Sequence, residues 1–265
     1  MQLLPGLRVV AVEGAAKGAP VRRHLLCPER AIRLYKAMST TVSNSLRTIF
    51  SGLVVLAAAM SAVANGNTES TVQSKSQIAE AEQILADLGY LTQNADGRLD
   101  FMSRHAVMAF QKVHGLKRTG VLTRSLLEKM RTATIPEAKF GGAAHIEVDL
   151  TRQVLFMVDE NGEVDLIVPI SSGNGERYWD KTTNKFEVAT TPRGEFKIQR
   201  KINGTRKAPL GSIYYPSYFL KGWAIHGSPS IPPKPASHGC VRVPRGTDKI
   251  LFKRMPVGMT IYLYD

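Results

Sequence analysis

Two short stretches hold the residue types that can do covalent chemistry: Ile225-His226-Gly227-Ser228, and Ala236-Ser237-His238-Gly239-Cys240-Val241-Arg242. A thiol is a poor nucleophile until ionised, with a free pKa of about 8.5. A base that takes its proton raises the thiolate fraction, so a catalytic Cys240 needs a His within hydrogen-bond reach. Two histidines qualify. His238 is two positions away, so in an extended stretch its side chain points the same way as Cys240. His226 ends a strand-like run, and its fourteen-residue separation from Cys240 is ample for a loop to return. No His follows Cys240, which argues against a papain-like order with the base downstream.

The small residues around the thiol have physical readings too. Gly239 lets the backbone turn tightly and approach a substrate carbonyl. The N–H groups of Gly239 and Cys240 are then candidates to face a developing oxyanion. Ser237 is placed to hydrogen-bond locally and hold the turn. No His/Cys/Asp cluster has ligand spacing, so neither a metal nor an organic cofactor is expected.

The elements that must position these residues divide the chain. Ile78, Ala81, Ile84, Leu85 and Leu88 recur at helical spacing, and Gly89 stops that helix. A second helix carries Ala106, Val107, Phe110 and Val113 on its inner face, with Ser103 as expected cap and Gly115 past its end. A short third helix spans 123–130, so residues 77–130 make a small three-helix domain. Residues 131–143, with Pro136 and Gly141-Gly142, read as a linker. Strand signatures fill 144–265. Ile146, Val148 and Leu150 alternate with Glu147 and Asp149 as on a half-buried strand, and 154–158 is an apolar run. Asp159-Glu160-Asn161-Gly162 marks a hairpin turn into 164–170. Residues 195–200, 224–225 and 259–264 add strands, and 244–252 is the best helix candidate.

Residues 77–130 resemble the peptidoglycan-binding domain found on many wall enzymes. The carriers are Leu88-Gly89-Tyr90, Asp96-Gly97, Ala106-Val107 with Phe110-Gln111, and His114-Gly115-Leu116 followed by Gly120. Residues 144–265 resemble the L,D-transpeptidase catalytic domain family, whose pattern is His-Gly, a loop of about a dozen residues, then Ser-x-Gly-Cys, an apolar residue and Arg. His226-Gly227 and Ser237-His238-Gly239-Cys240-Val241-Arg242 match it, and Ser172-Gly173 and Thr191-Pro192-Arg193-Gly194-Glu195-Phe196 match further landmarks.

The resemblance implies a multidomain chain, with the helical domain followed by a mainly β, β-sandwich-like catalytic domain. It implies Cys240 as nucleophile and His226 as base, oriented by a backbone carbonyl or hydroxyl at Gly227 or Ser228. The oxyanion donors would be amides around His238, Gly239 and Cys240, with His238 shaping the turn. Arg242 would organise the site or bind a substrate carboxylate. Apart from the resemblance, Tyr214, Tyr215 and Trp223 read as core and cleft wall, and are the aromatic candidates for substrate contact. The implied reaction releases the terminal D-alanine of a peptidoglycan tetrapeptide stem through a thioester and passes the acyl group to an amine of another stem. The rivals are an L,D-carboxypeptidase, with water as acceptor, and a non-catalytic wall-binding protein. Implied partners are peptidoglycan, its stems and carbapenem-type inhibitors.

The N-terminal region reads as an address. Residues 38–47 are polar with one Arg, 49–60 are mostly apolar but too short to span a bilayer comfortably, and Ala62-Val63-Ala64 suits signal peptidase. Cleavage there leaves Asn65 at the start of a flexible lead-in over 65–76, with no stable membrane anchor. Residues 1–37 read as a leader or misassigned extension ahead of Met38. Secretion to a periplasm or cell wall then follows, and of two cysteines the exported protein keeps only Cys240, so it has no internal disulfide. The formal net charge of +13 favours anionic partners, but no Arg/Lys block interleaves with aromatics, so nucleic acid is not expected.

Overall fold

A computed structural model describes residues 70–265. The extension over 1–37, the signal segment over 38–64 and the lead-in up to residue 69 lie outside the described residues. Among the described residues no helix is long and apolar enough to cross a membrane.

Three helices open the structure: α1 (Lys75–Asp87), α2 (Phe101–Val113) and α3 (Arg124–Arg131). Their apolar stripes meet, with Ala81, Leu85, Val107, Phe110, Leu127 and Met130 buried together. Gly89, at φ +82°, turns the chain out of α1. The expected Ser103 cap is corrected to Asp100, whose carboxylate accepts from the Ser103 N–H at 2.8 Å. Ser103 sits inside α2 because its hydroxyl is needed elsewhere, donating to buried Glu82 at 2.5 Å.

Residues 132–144 form no helix or strand, but they are pinned. The amides of Lys139 and Phe140 donate to the Glu147 carboxylate, and the Phe140 ring stacks on Tyr262 at 4.2 Å.

The strands follow: β1 (His145–Asp149), β2 (Val154–Val158), β3 (Val164–Pro169), β4 (Arg177–Asp180), β5 (Lys185–Val188), β6 (Gly194–Lys197), β7 (Arg200–Lys201), β8 (Thr205–Ala208), β9 (Gly211–Leu220), β10 (Trp223–Ser228) and β11 (Val241–Pro244). Helix α4 (Thr247–Arg254) and β12 (Thr260–Tyr264) complete the chain. One sheet has the order β3-β2-β1-β12-β6, the other β11-β10-β9-β7 with β8 beside β9, and β4-β5 stand as a hairpin. Pairing is antiparallel except for β1 with β12 and β10 with β11. Ile146, Val148, Leu155 and Val168 of the first sheet pack with Phe219, Ile225, Val241 and Val243 of the second, so the β region is a sandwich.

Strand β1 departs from the half-buried expectation, because all five residues are buried. Its polar side is covered by partners: His145 Nε2 lies 3.1 Å from Glu147 Oε1, Arg152 pairs with Asp149, and the Tyr264 hydroxyl reaches Glu147. The apolar run of β2 is buried on both faces. Leu155 and Met157 enter the sandwich core, while Val154, Phe156 and Val158 share the core of the helical domain. The segment after α1 also joins the edge of β3, through the Ile167 N–H donating to Gly89 O at 2.7 Å. The helices are therefore docked on the sheet with a shared core, although the intervening segment reads as a linker in sequence.

Candidate active site

Strands β10 and β11 run parallel with Ile225 opposite Val241 and His226 opposite Arg242. Side chains alternate between sheet faces, so Ile225, Val241 and Val243 point into the sandwich core and His226 and Arg242 point the other way. Cys240 is the residue before β11, two positions from Arg242, and lies on the His226 side. A return loop of a dozen residues is what lets β11 pair in parallel beside β10.

The imidazole is fixed by a short local contact. His226 is buried, and its Nδ1 lies 2.9 Å from Gly227 O. A carbonyl only accepts, so Nδ1 carries the proton and Nε2 is left as the basic nitrogen. The Ser228 hydroxyl is not the orienting group; it donates to Ser230 O and accepts from the Ser230 N–H, closing the next turn. Burial pulls His226 down to about 4, against the Gly227 hydrogen bond; Arg242 lowers it further and Asp248 raises it. Burial pushes the Cys240 thiol up, opposed by a backbone hydrogen bond from Ala224 and by Arg242. Sγ also faces Gly222 O at 3.7 Å. Burial thus disfavours the charged form of both groups.

The loop before Cys240 is tied by Ser237. Its hydroxyl accepts from the Gly239 N–H at 2.9 Å and donates to Cys240 O at 2.6 Å. This corrects the expectation for Gly239: its amide is engaged inside the loop, and the His238 and Cys240 amides remain the oxyanion candidates. Gly239 has φ +131°, and a side chain there would collide with Trp223 Nε1 at 2.7 Å and Thr190 O at 2.9 Å. The landmarks around residues 172 and 191 brace the same loop. Ser172 O accepts from the Ser237 N–H at 2.8 Å, and the Thr191 hydroxyl donates to Gly239 O at 2.7 Å while accepting from the Gly173 N–H.

The remaining predicted residues separate into two groups. Trp223 stays with the loop, its indole donating to Thr190 O, and the exposed His238 ring meets Tyr178 of the β4–β5 hairpin at 4.6 Å. Arg242 is half-buried, and among the described residues no carboxylate pairs with it. Tyr214 and Tyr215, expected as core and cleft wall, are half-buried and pack on their neighbours: Tyr214 lies under the Arg245 guanidinium at 3.5 Å, and Tyr215 meets Phe252 of α4. Their spacing in a Tyr-rich strand gave no sign of these partners, which come from Arg245 and from α4.

Sequence reasoning missed Asp248. Its Oδ1 accepts from the Gly246 and Lys249 amides, and Oδ2 lies 3.0 Å from Arg245 Nε. A Cβ on Gly227 would stand 1.9 Å from Oδ2, so the glycine makes room for a buried carboxylate beside the base. The usable signal was Gly227 directly after a candidate catalytic His. No cluster of His, Cys, Asp or Glu suited to a metal ion occurs among the described residues.

Comparisons with known proteins bear on the family of the chain. The family model described as L,D-transpeptidase catalytic domain matches residues 143–263, and a peptidoglycan binding domain model matches 74–130. No curated protein is significantly similar to the chain. Among solved structures, an L,D-transpeptidase from Xylanimonas cellulosilytica is 38% identical with a TM-score of 0.68, over 74% of this chain and 95% of that one. An L,D-transpeptidase from Stackebrandtia nassauensis is 23% identical over 75% and 97%, with a TM-score of 0.44. L,D-transpeptidase 3 from Mycobacterium tuberculosis, solved with a faropenem-derived adduct, is 15% identical over 47% and 61%, with a TM-score of 0.36.

Proposed function

Since the chain belongs to the L,D-transpeptidase family and carries a peptidoglycan-binding domain ahead of the catalytic one, we propose that it cross-links peptide stems of the wall through Cys240. The observation that carries this reading is the parallel β10–β11 register, which sets His226 opposite Arg242, two residues from Cys240, with His226 Nδ1 held by Gly227 O.

In this reading the Cys240 sulfur attacks the carbonyl of the third stem residue as its proton passes to His226 Nε2. The His238 and Cys240 amides receive the oxyanion. Collapse breaks the bond to the terminal D-alanine, whose amine takes the proton from His226, leaving a thioester. An amine of a second stem then attacks the thioester, gives its proton to His226, and expels Cys240 as thiol. Arg242, with no carboxylate partner among the described residues, suits a carboxylate of the stem. The helical domain adds wall binding, which raises the local concentration of stems around the site. The chain works outside the membrane after removal of residues up to 64, in a periplasm or wall. A carbapenem presents a strained acyl group to the same thiol and is expected to stop at the acyl-enzyme.

Incubation with defined tetrapeptide muropeptides, read by mass, tests the proposal. A dimer lighter by the mass of D-alanine supports transpeptidation. A tripeptide alone makes the enzyme an L,D-carboxypeptidase, and unchanged substrate favours a wall-binding protein without catalysis.

A further inference from the structure

Lys112 lies on α2 in the helical domain, far in sequence from the catalytic loop, yet its side chain is fully buried. Its ammonium donates to Ile170 O at 2.7 Å and to Gln153 O at 3.1 Å, both in the β domain. Among the described residues no carboxylate pairs with it. Desolvating an ammonium for two carbonyls is an expensive way to glue a surface that is otherwise apolar, with Val154, Phe156 and Ile167 already covered by helices. What the contact does is fix the backbone at 153 and 170.

Those two positions lead to the nucleophile. Gln153 is buried and holds a left-handed conformation, φ +61°, which is uncommon for a residue other than glycine. Its side chain clamps Ser172 twice: Oε1 accepts from the Ser172 N–H at 2.9 Å, and Nε2 donates to the Ser172 hydroxyl at 2.7 Å. Ser172 O in turn accepts the Ala236 and Ser237 amides, and the Ser237 hydroxyl holds both Gly239 N and Cys240 O. Next to it, Ser171 exchanges two backbone hydrogen bonds with Arg242.

We propose that Lys112 is a positioning residue for Cys240: through Gln153 and Ser172, the helical domain sets the geometry of the nucleophile loop. The domain is then part of the catalytic apparatus as well as a wall tether. This rests on the assignment of Cys240 as nucleophile. Burial, with Arg118 nearby, lowers the ammonium to about 7, in keeping with a group held for its contacts at a cost in solvation. Physical contiguity is not coupling, so the test must read coupling directly.

Full-length Lys112→Met keeps the length and volume of the side chain and removes the donor. Its rate of Cys240 acylation by a carbapenem, followed by intact mass, should fall roughly ten- to hundred-fold, the scale of a small misplacement at a reacting centre. Hydrogen exchange should quicken at the amides of Ser172, Ser237 and Gly239. Gln153→Met should give a similar loss, and the double variant should lose little more than either alone. A wild-type rate in Lys112→Met, unchanged exchange at those amides, or additive losses in the double variant would overturn the coupling. If Lys112→Met fails to fold, Ser172→Ala reads the same path nearer the loop, with the same expected slowing and the same contrary result. Cys240→Ala run alongside separates the two ideas, because an adduct that persists there overturns the nucleophile itself.

Discussion

His226 stands opposite Arg242 in the parallel β10–β11 register, so the sheet turns the imidazole to the Arg242 face, two residues along the chain from Cys240. The His226 ring is thus aimed by backbone pairing, and its tautomer is set by the carbonyl of the next residue, Gly227.

The first prediction concerns pH. His226 must be neutral to accept the thiol proton, and burial lowers it to about 4. Acylation should therefore persist below pH 6 and disappear only as pH falls through about 4. Asp248 raises His226, so Asp248→Asn should move that acid limb lower still. A limb near the ordinary histidine value of about 6.5 contradicts the burial argument. His226→Ala should lower the rate by about two to four orders of magnitude at pH values above that limb.

Gly227→Ala places a methyl group where Asp248 Oδ2 now lies, at 1.9 Å. Something buried must shift, so both thermal stability and acylation should fall. Combining it with Asp248→Ala removes the clashes with Oδ2 and Cγ but leaves the Asp248 Cβ at 2.7 Å, so only part of the stability should return. If the single variant melts like the wild type, the close approach is not a constraint.

Ser237→Ala removes two hydrogen bonds from the loop, leaving the Gly239 N–H buried without its partner. Stability should drop by about 1–3 kcal/mol, and acylation should slow disproportionately. Denaturant unfolding beside acylation kinetics checks both, and equal rates with lower stability would mean that the loop keeps its shape without the serine.

Much of this site was legible in the sequence because its signals are local. His-Gly and Ser-His-Gly-Cys-Val-Arg fix residue types at short spacing, and the alternation around Ile225 and Val241 reveals which side chains face the core. The helical domain was legible through its 3.6-residue stripe. What stayed hidden depends on distant partners. Glu147 and Asp149 look solvent-facing until the 139–140 segment and Arg152 cover them. Phe156 looks like ordinary core, and nothing local says that its face meets helices. Asp248 and Lys112 carry no motif, and their meaning comes from Gly227 and Gln153 across the fold. The β4–β5 hairpin escaped notice because its strands are largely exposed and show no apolar alternation.

Docking of the domains gives a further expectation. Residues 144–265 alone would expose Val154, Phe156, Val158 and Ile167, so the isolated β region should melt lower than the full chain and tend to associate. Calorimetry and light scattering of the two proteins check this. An isolated β region as stable and monomeric as the whole would mean that the shared core contributes little.

The most direct test of the central claim is intact-mass spectrometry of the full chain after exposure to a carbapenem and, separately, to a tetrapeptide stem. A single adduct should form, localise to the Cys240 peptide, and vanish in Cys240→Ala. An adduct of the same mass on Cys240→Ala would contradict the account.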